Sequence, residues 1–312
     1  MRPARSWLLA AAIAALVVAA AVDALLGGEP EARAPAPPPP QRTTETDELV
    51  DALRERRIAG ALLYADERCA VHVLLLPSLE DRLVQGEEAC GFRSPASSGA
   101  GVAECAAGIV EVRDATGLTR RTPGCAPAWK PNGVLTVVRD GELVELDLRG
   151  RTRRLVSRVL VSRRHLARDL TGPPWAFLDP RIREAAWLSD DLAAVVVSDP
   201  ALERDDVLAL YRGRRLIGAP PFPYERLSGL RVSPRGSFVA ARVGLPPGGL
   251  VLVDRRAELV AIPFRVARAI TWSPDEAWTA VASPDTIFIW ETGERAVRFV
   301  ALPIRARDVL WE

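Results

Sequence analysis

Three features of the 312-residue sequence predict an all-β fold. Short apolar strands ending in an aromatic or branched residue recur along the chain, each followed by a tight polar turn. Further strand-like runs follow every copy. The last residues, "ARDVLWE" (306–312), read as one more opening strand with nothing behind it. Units of about 40 residues that cannot bury a core alone are the period of four-stranded blades stacked in a ring. The prediction is a six-bladed β-propeller, closed by pairing of the C-terminal strand with the first blade and preceded by an N-terminal transmembrane helix.

From the N-terminus, Arg2 and Arg5 precede an apolar run from Trp7 to Leu26 broken only by Asp23. Twenty residues of helix cross a hydrocarbon layer of roughly 30 Å, and arginines ahead of the run keep its start cytoplasmic. Residues 1–6 are then a cytoplasmic tip and 7–26 a single-pass anchor in the cell membrane, with the C-terminal domain extracytoplasmic. A cleaved signal peptide is the rival, because Val22-Asp23-Ala24 is a tolerable cleavage pattern. Residues 27–46 are proline-rich and polar, an extended spacer. In "TDELVDALRERR", Thr46 is a candidate N-cap and Leu49, Ala52 and Leu53 share one side, which predicts a short helix (47–57) leading into the propeller of residues 47–312.

The clearest repeat is "AITWSPDEAWTAVASPDTIFIWETGERAVRFV": a strand ending at Trp272, a Ser273-Pro274-Asp275 turn, then three more strands. The same grammar recurs with Val232, Trp187 and Trp129 as the strand-ending anchor, and more weakly with Phe92. Successive anchors lie 37, 58, 45, 40 and 39 residues apart, the last interval landing on Trp311. Residues 58–84 hold three strand-like runs with no opening strand, so the C-terminal strand supplies the missing member and two sheet edges disappear. Anchors pack between blades, while Pro, Asp and Gly make the turns.

Trp272-Ser273-Pro274-Asp275, Val232-Ser233-Pro234-Arg235-Gly236 and Trp129-Lys130-Pro131-Asn132-Gly133 resemble the signature of TolB-like, WD-repeat-related propellers of bacterial cell envelopes. Trp187-Leu188-Ser189-Asp190-Asp191 departs from that pattern in lacking the proline. The resemblance implies a propeller that works through envelope interactions, with no particular partner carried over.

Four cysteines, Cys69, Cys90, Cys105 and Cys125, fall in the first third of the propeller and allow three pairings. The repeat offset favours Cys69 with Cys90 and Cys105 with Cys125, each joining the middle of one repeat to the opening of the next. Outside the cytoplasm an even count points to disulfides. A zinc site lacks a CxxC pair, and the only histidines are His72 and His165.

Chemistry is sparse. No Gly-x-Ser-x-Gly elbow, Walker loop or His-Glu-x-x-His is present, so an enzyme, such as a metal-dependent lactonase-type hydrolase, is the minority reading. No catalytic residue, cofactor or metal is assigned. A net charge of +1 argues against nucleic acid. The long segments 157–184, 198–207, 218–229 and 244–249 fall on one face of the ring, and loops on a rigid scaffold carry function. Within them Arg163, Arg164, His165 and Trp175 form the candidate binding face, because Arg and Trp are favoured interface anchors; a solvated basic helix and a Trp packed on the rim are the plainer alternative. The expectation is a monomeric scaffold that binds envelope proteins, held at the membrane by its N-terminal helix, with a small-ligand or carbohydrate-binding propeller as the alternative.

Overall fold

The structure is a computed structural model, and it describes residues 44–85, 96–98, 101–114, 117–147, 156–201, 205–220, 224–244, 249–260, 266–292 and 299–312. Helix α1 (Thr44–Glu55) begins ahead of the predicted 47–57 and ends sooner. Val50 and Leu53 are buried and Leu49 and Ala52 partly so, one stripe at helical spacing. The helix stops where Arg57 turns left-handed (φ 56°). Arg57 N then donates to Arg54 O at 3.0 Å and Ile58 N to Leu53 O at 2.9 Å, a Schellman closure in which Ile58 and Leu53 meet in the core.

Twenty-four strands are described, in six antiparallel sheets. The first contains β1 (Gly60–Ala65), β2 (Val71–Leu76) and β3 (Glu80–Gln85), with β24 (Asp308–Trp311) on the free side of β1. Leu62 faces Trp311 and Ala65 faces Asp308 across that seam, so the C-terminal strand completes the first sheet. The second holds β4 (Ala96–Ser98), β5 (Gly101–Ala106), β6 (Ile109–Asp114) and β7 (Thr119–Pro123). In the third are β8 (Cys125–Trp129), β9 (Leu135–Arg139), β10 (Glu142–Asp147) and β11 (Val156–Val161). The fourth has β12 (Arg181–Trp187), β13 (Leu192–Ser198), β14 (Asp205–Arg212) and β15 (Arg215–Gly218), plus β16 (Tyr224–Glu225) on β14. Three strands make the fifth, β17 (Leu227–Val232), β18 (Phe238–Val243) and β19 (Gly249–Asp254), and four the sixth, β20 (Ala269–Trp272), β21 (Trp278–Ala282), β22 (Ile287–Glu291) and β23 (Phe299–Leu302).

Side chains join the sheets. In β13, Ala193, Val195 and Val197 enter the core shared with the third sheet. Leu192, Ala194 and Val196 enter the core shared with the fifth. A strand sandwiched on both faces has no polar position, so it reads "LAAVVVS" rather than alternating. Other cores join the second sheet to the third, the fifth to the sixth, and the sixth to the first and α1.

The anchor turns follow from their sequence. Ser273 Oγ accepts from Trp278 N at 2.9 Å and donates to Asp275 at 2.6 Å, and that hydroxyl is the leading reason the Asp275 carboxyl sits below its ordinary pKa. Ser233 repeats the first bond, from Phe238 N at 3.0 Å.

Two parts of the predicted fold class are corrected. Among the described residues no helix is long and apolar enough to cross a membrane, so the transmembrane helix and the single-pass membrane location are not carried forward. α1 is apolar along one stripe only, and the other described helix, α2 (Arg163–Leu170), has 8 residues, "RRHLARDL", far short of a span. The segment 7–26 and the linker up to residue 43 lie outside the described residues. The expected closed ring of four-stranded blades is likewise replaced by six separate propeller-like sheets, the fifth with three strands. Most backbone hydrogen bonds run within a sheet, with crossings at Ile182 N to Gly141 O (3.0 Å), fourth sheet to third, and Gly244 N to Glu225 O (2.7 Å), fifth to fourth; beside β19, Val260 N donates to Leu252 O at 2.9 Å and Val253 bridges Leu259.

Cys105 and Cys125 are joined in a disulfide from β5 to β8, the second sheet to the first strand of the third. Cys69 is also disulfide-bonded; Cys90, like Phe92, lies outside the described residues.

Candidate functional site

Connections in an antiparallel sheet alternate between its two ends. The anchor turns and the β14–β15 hairpin therefore share one end, while the β9–β10 hairpin and the segments leading to the next sheet share the other. The long segments start from this second end.

α2 is anchored there by its own N-terminus. Ser162 N donates to His165 Nδ1 at 3.0 Å and His165 N donates to Ser162 O at 2.9 Å. Burial first, then Arg168 and Arg214, keep the His165 pKa below its ordinary value, so the ring stays a neutral acceptor. Arg163 N donates to Glu142 Oε1 at 3.0 Å beside the β9–β10 hairpin. At the other end of the helix Arg168 Nη2 reaches Arg214 O, in the β14–β15 hairpin, at 3.3 Å. α2 thus runs along the outside of the third and fourth sheets from one end to the other, with Leu166 and Leu170 in their shared core.

The chain then returns. Trp175 is half-buried on that core, and its Nε1 donates to Pro220 O at 2.8 Å. Asp199, only 2% exposed, accepts from Leu178 N and, at 3.0 Å, from Asp179 N, while its other oxygen accepts from Ala201 N at 2.8 Å. Asp179 pairs with Arg163 and, at 2.6 Å, with Arg181. Arg181 first and Arg163 second hold its carboxyl below the usual range. Leu178 itself is 73% exposed, and Arg164, next to Arg163 on α2, is exposed as well.

The four predicted face residues therefore have different roles. Arg163 is ion-paired, His165 caps the helix, Trp175 packs on the outer rim, and Arg164 is left to solvent. The pattern brings in residues that sequence reading missed: Asp199, Asp179 and Leu178. The only local signal for Asp199 is its place in "SDP", where an Asp before a proline favours a side-chain-capped turn.

A second polar set lines the first strands of the sheets, which lie side by side. Glu184 accepts from Gly229 N at 2.9 Å and Leu230 N at 3.2 Å. Arg231 donates to Ile270 O at 3.1 Å, to Val309 O at 2.8 Å and to both Asp308 oxygens at 2.5 and 2.7 Å, tying the fifth, sixth and first sheets. His72 stacks on Tyr64 with ring centroids 4.8 Å apart and lies 3.3 Å from Asp81, which also accepts the Tyr64 hydroxyl at 2.7 Å. Among the described residues no group of three or more His, Cys, Asp or Glu could hold a metal.

No protein-family model and no curated protein matches the sequence. Solved structures similar to the chain include the Dos1 propeller (14% identity, TM-score 0.43, covering 66% of this chain and 54% of that one). The Cps50 (Swd1) β-propeller domain of Myceliophteria thermophila shares 14% identity at TM-score 0.46, over 81% of this chain and 86% of that one. A chain of the Mitotic Checkpoint Complex shares 13% at TM-score 0.46, over 90% and 92%. The chain thus spans about half the length of the Dos1 structure. The fold rests on the six sheets, and the TolB-like part of the expected resemblance is not confirmed.

Proposed function

We propose that this chain is a non-catalytic protein-interaction scaffold, and that a partner docks at the corner where α2 begins and residues 178–181 return. The observation that carries this reading is Asp199. A buried carboxylate fixes the backbone of Leu178 and Asp179, yet the Leu178 side chain is 73% exposed. Holding an apolar residue rigidly in water gains nothing for the isolated fold, whereas a pre-organised anchor lowers the ordering cost of binding. Arg164 and the Arg163–Asp179–Arg181 ion pairs give that anchor a polar rim, the usual surround of an interface hot spot. The finer reading, that the partner is a bacterial envelope protein, draws on the resemblance of the anchor turns to TolB-like propellers.

The test is site-specific photo-crosslinking from position 178 in cells that express the full chain, with position 118 on the second sheet as comparator. A discrete adduct from 178 alone, lost on Arg164→Glu, is expected. The same adducts from both positions, or none from 178, would count against the site.

A further inference from the structure

Four anchor positions carry an indole: Trp129, Trp187, Trp272 and Trp311. The fifth sheet carries Val232. Its position is equivalent, because each anchor ends the first strand of its sheet and pairs with the start of the second: Trp129 with Leu135, Trp272 with Thr279, Val232 with Val239. Elsewhere the indole closes the junction with the preceding sheet. Trp187 is 8% exposed in the core of the third and fourth sheets, Trp272 3% in that of the fifth and sixth, and Trp311 5% in that of the sixth and first. Val232 only partly fills the junction of the fourth and fifth.

A cleft of about 340 Å³ lies at that place, on the anchor-turn end of the sheets and so opposite the α2 corner. Its apolar walls are Pro131, Trp187, Leu188, Val232 and Pro234, with Arg255 at the side. The frame is rigid. Gly236 is left-handed (φ +68°), and a Cβ there would lie 1.8 Å from Leu188 O, so the two anchor turns touch backbone to backbone. Asp190 Oδ1 accepts from Asn132 N at 2.8 Å and ties in the third sheet. Arg255 donates to Gly236 O and Arg235 O, both at 2.6 Å, which fixes its guanidinium as a flat wall. The polar groups of the frame, Ser189, Asp190, Ser233 and Arg235 among them, are largely matched among themselves, so what the cleft offers a ligand is the apolar wall of Leu188, Val232 and Pro234 with the Arg255 guanidinium at its side, a setting in which flat aromatic rings are held.

We propose that this cleft is a binding site for an indole-sized aromatic ring, which takes the space that the repeat fills elsewhere with its own tryptophan. The ring belongs either to a free small molecule or to a tryptophan side chain of a bound protein; both present the same face to Leu188, Val232 and Arg255.

The experiment titrates indole, N-acetyl-L-tryptophanamide and the peptide Gly-Ser-Trp-Ser-Gly into the full chain, read by amide NMR. Saturable shifts at 188, 232 and 255 with a Kd of about 1 mM or tighter are expected. Tighter binding of the peptide assigns the slot to protein side chains, and tighter binding of indole assigns it to small molecules. Val232→Trp fills the slot from within and should weaken every probe by about tenfold or more, with the melting temperature kept or raised. Val232→Phe gives the same loss should the larger residue not fold. No saturable binding, or equal binding to folded Val232→Trp, overturns the proposal.

Discussion

His165 shows how much one side chain decides. Its Nδ1 accepts the Ser162 amide at 3.0 Å, which only an unprotonated ring can do. The folded pKa lies below 6.5, burial being the largest cause, so the unfolded chain binds the proton more readily. The stabilisation is therefore complete above about pH 6.5 and is lost as pH falls toward the folded pKa. Amides of α2 should exchange faster at about pH 5 than at about pH 7.5 after correction for intrinsic rates. In His165→Ala that extra acid sensitivity should vanish; an equal pH response in both proteins would show that the cap is not the titrating device. The basic pattern of "SRRHLARD" picked out the helix from sequence, but Arg163 and His165 prove occupied by partners 16 residues away and 3 residues back. Only the second of these lies within reach of local pattern.

At the scale of the element, the anchors obey a rule that runs between sheets. Trp187 Nε1 donates to Thr136 Oγ1 at 2.8 Å, and Thr136 faces Ala128, the residue just before the preceding anchor. In the same register the fifth sheet has Ala240 facing Arg231, and the sixth has Ala280 facing Thr271. Alanine accepts nothing, and among the described residues the Nε1 atoms of Trp272 and Trp311 find no acceptor. Thr136→Val should cost about 1–2 kcal/mol, because a buried donor loses its partner at nearly constant volume. Ala240→Thr should create the equivalent bond at Trp272 and add up to about that amount of stability, as read by urea unfolding. A neutral Thr136→Val would show that the indole bond adds nothing. Anchor and turn were legible as a repeated word, but the Thr–Trp relation was not, since it joins positions 51 residues apart.

For the whole molecule, the seam between β24 and β1 joins the two ends of the described chain. Val309 is fully buried and Trp311 5% exposed. Arg231 holds Asp308 and the Val309 carbonyl, and Trp311 N donates to Thr271 Oγ1 at 3.0 Å. Deleting residues 306–312 removes the buried Val309 and Trp311 side chains from the core and opens the edge of β1. The loss should be about 3–6 kcal/mol, a large share of ordinary domain stability of about 5–15 kcal/mol. An unchanged melting temperature would show that the β24–β1 seam adds nothing to stability.

Periodicity alone marked the anchor turns at Trp129, Val232 and Trp272 and the seam at "ARDVLWE", because each depends on side chains two to five residues apart or on a spacing that recurs. The pairing of Cys105 with Cys125 followed from the same offset. Tertiary structure decided what meets across the repeats. It stood α2 along the outer rim, set Asp199 beneath Leu178, joined Arg231 to Asp308 across 77 residues, and left a slot where Val232 stands in for tryptophan. Those contacts depend on how neighbouring sheets pack face to face, a geometry summed over whole sheets that no local stretch of sequence carries.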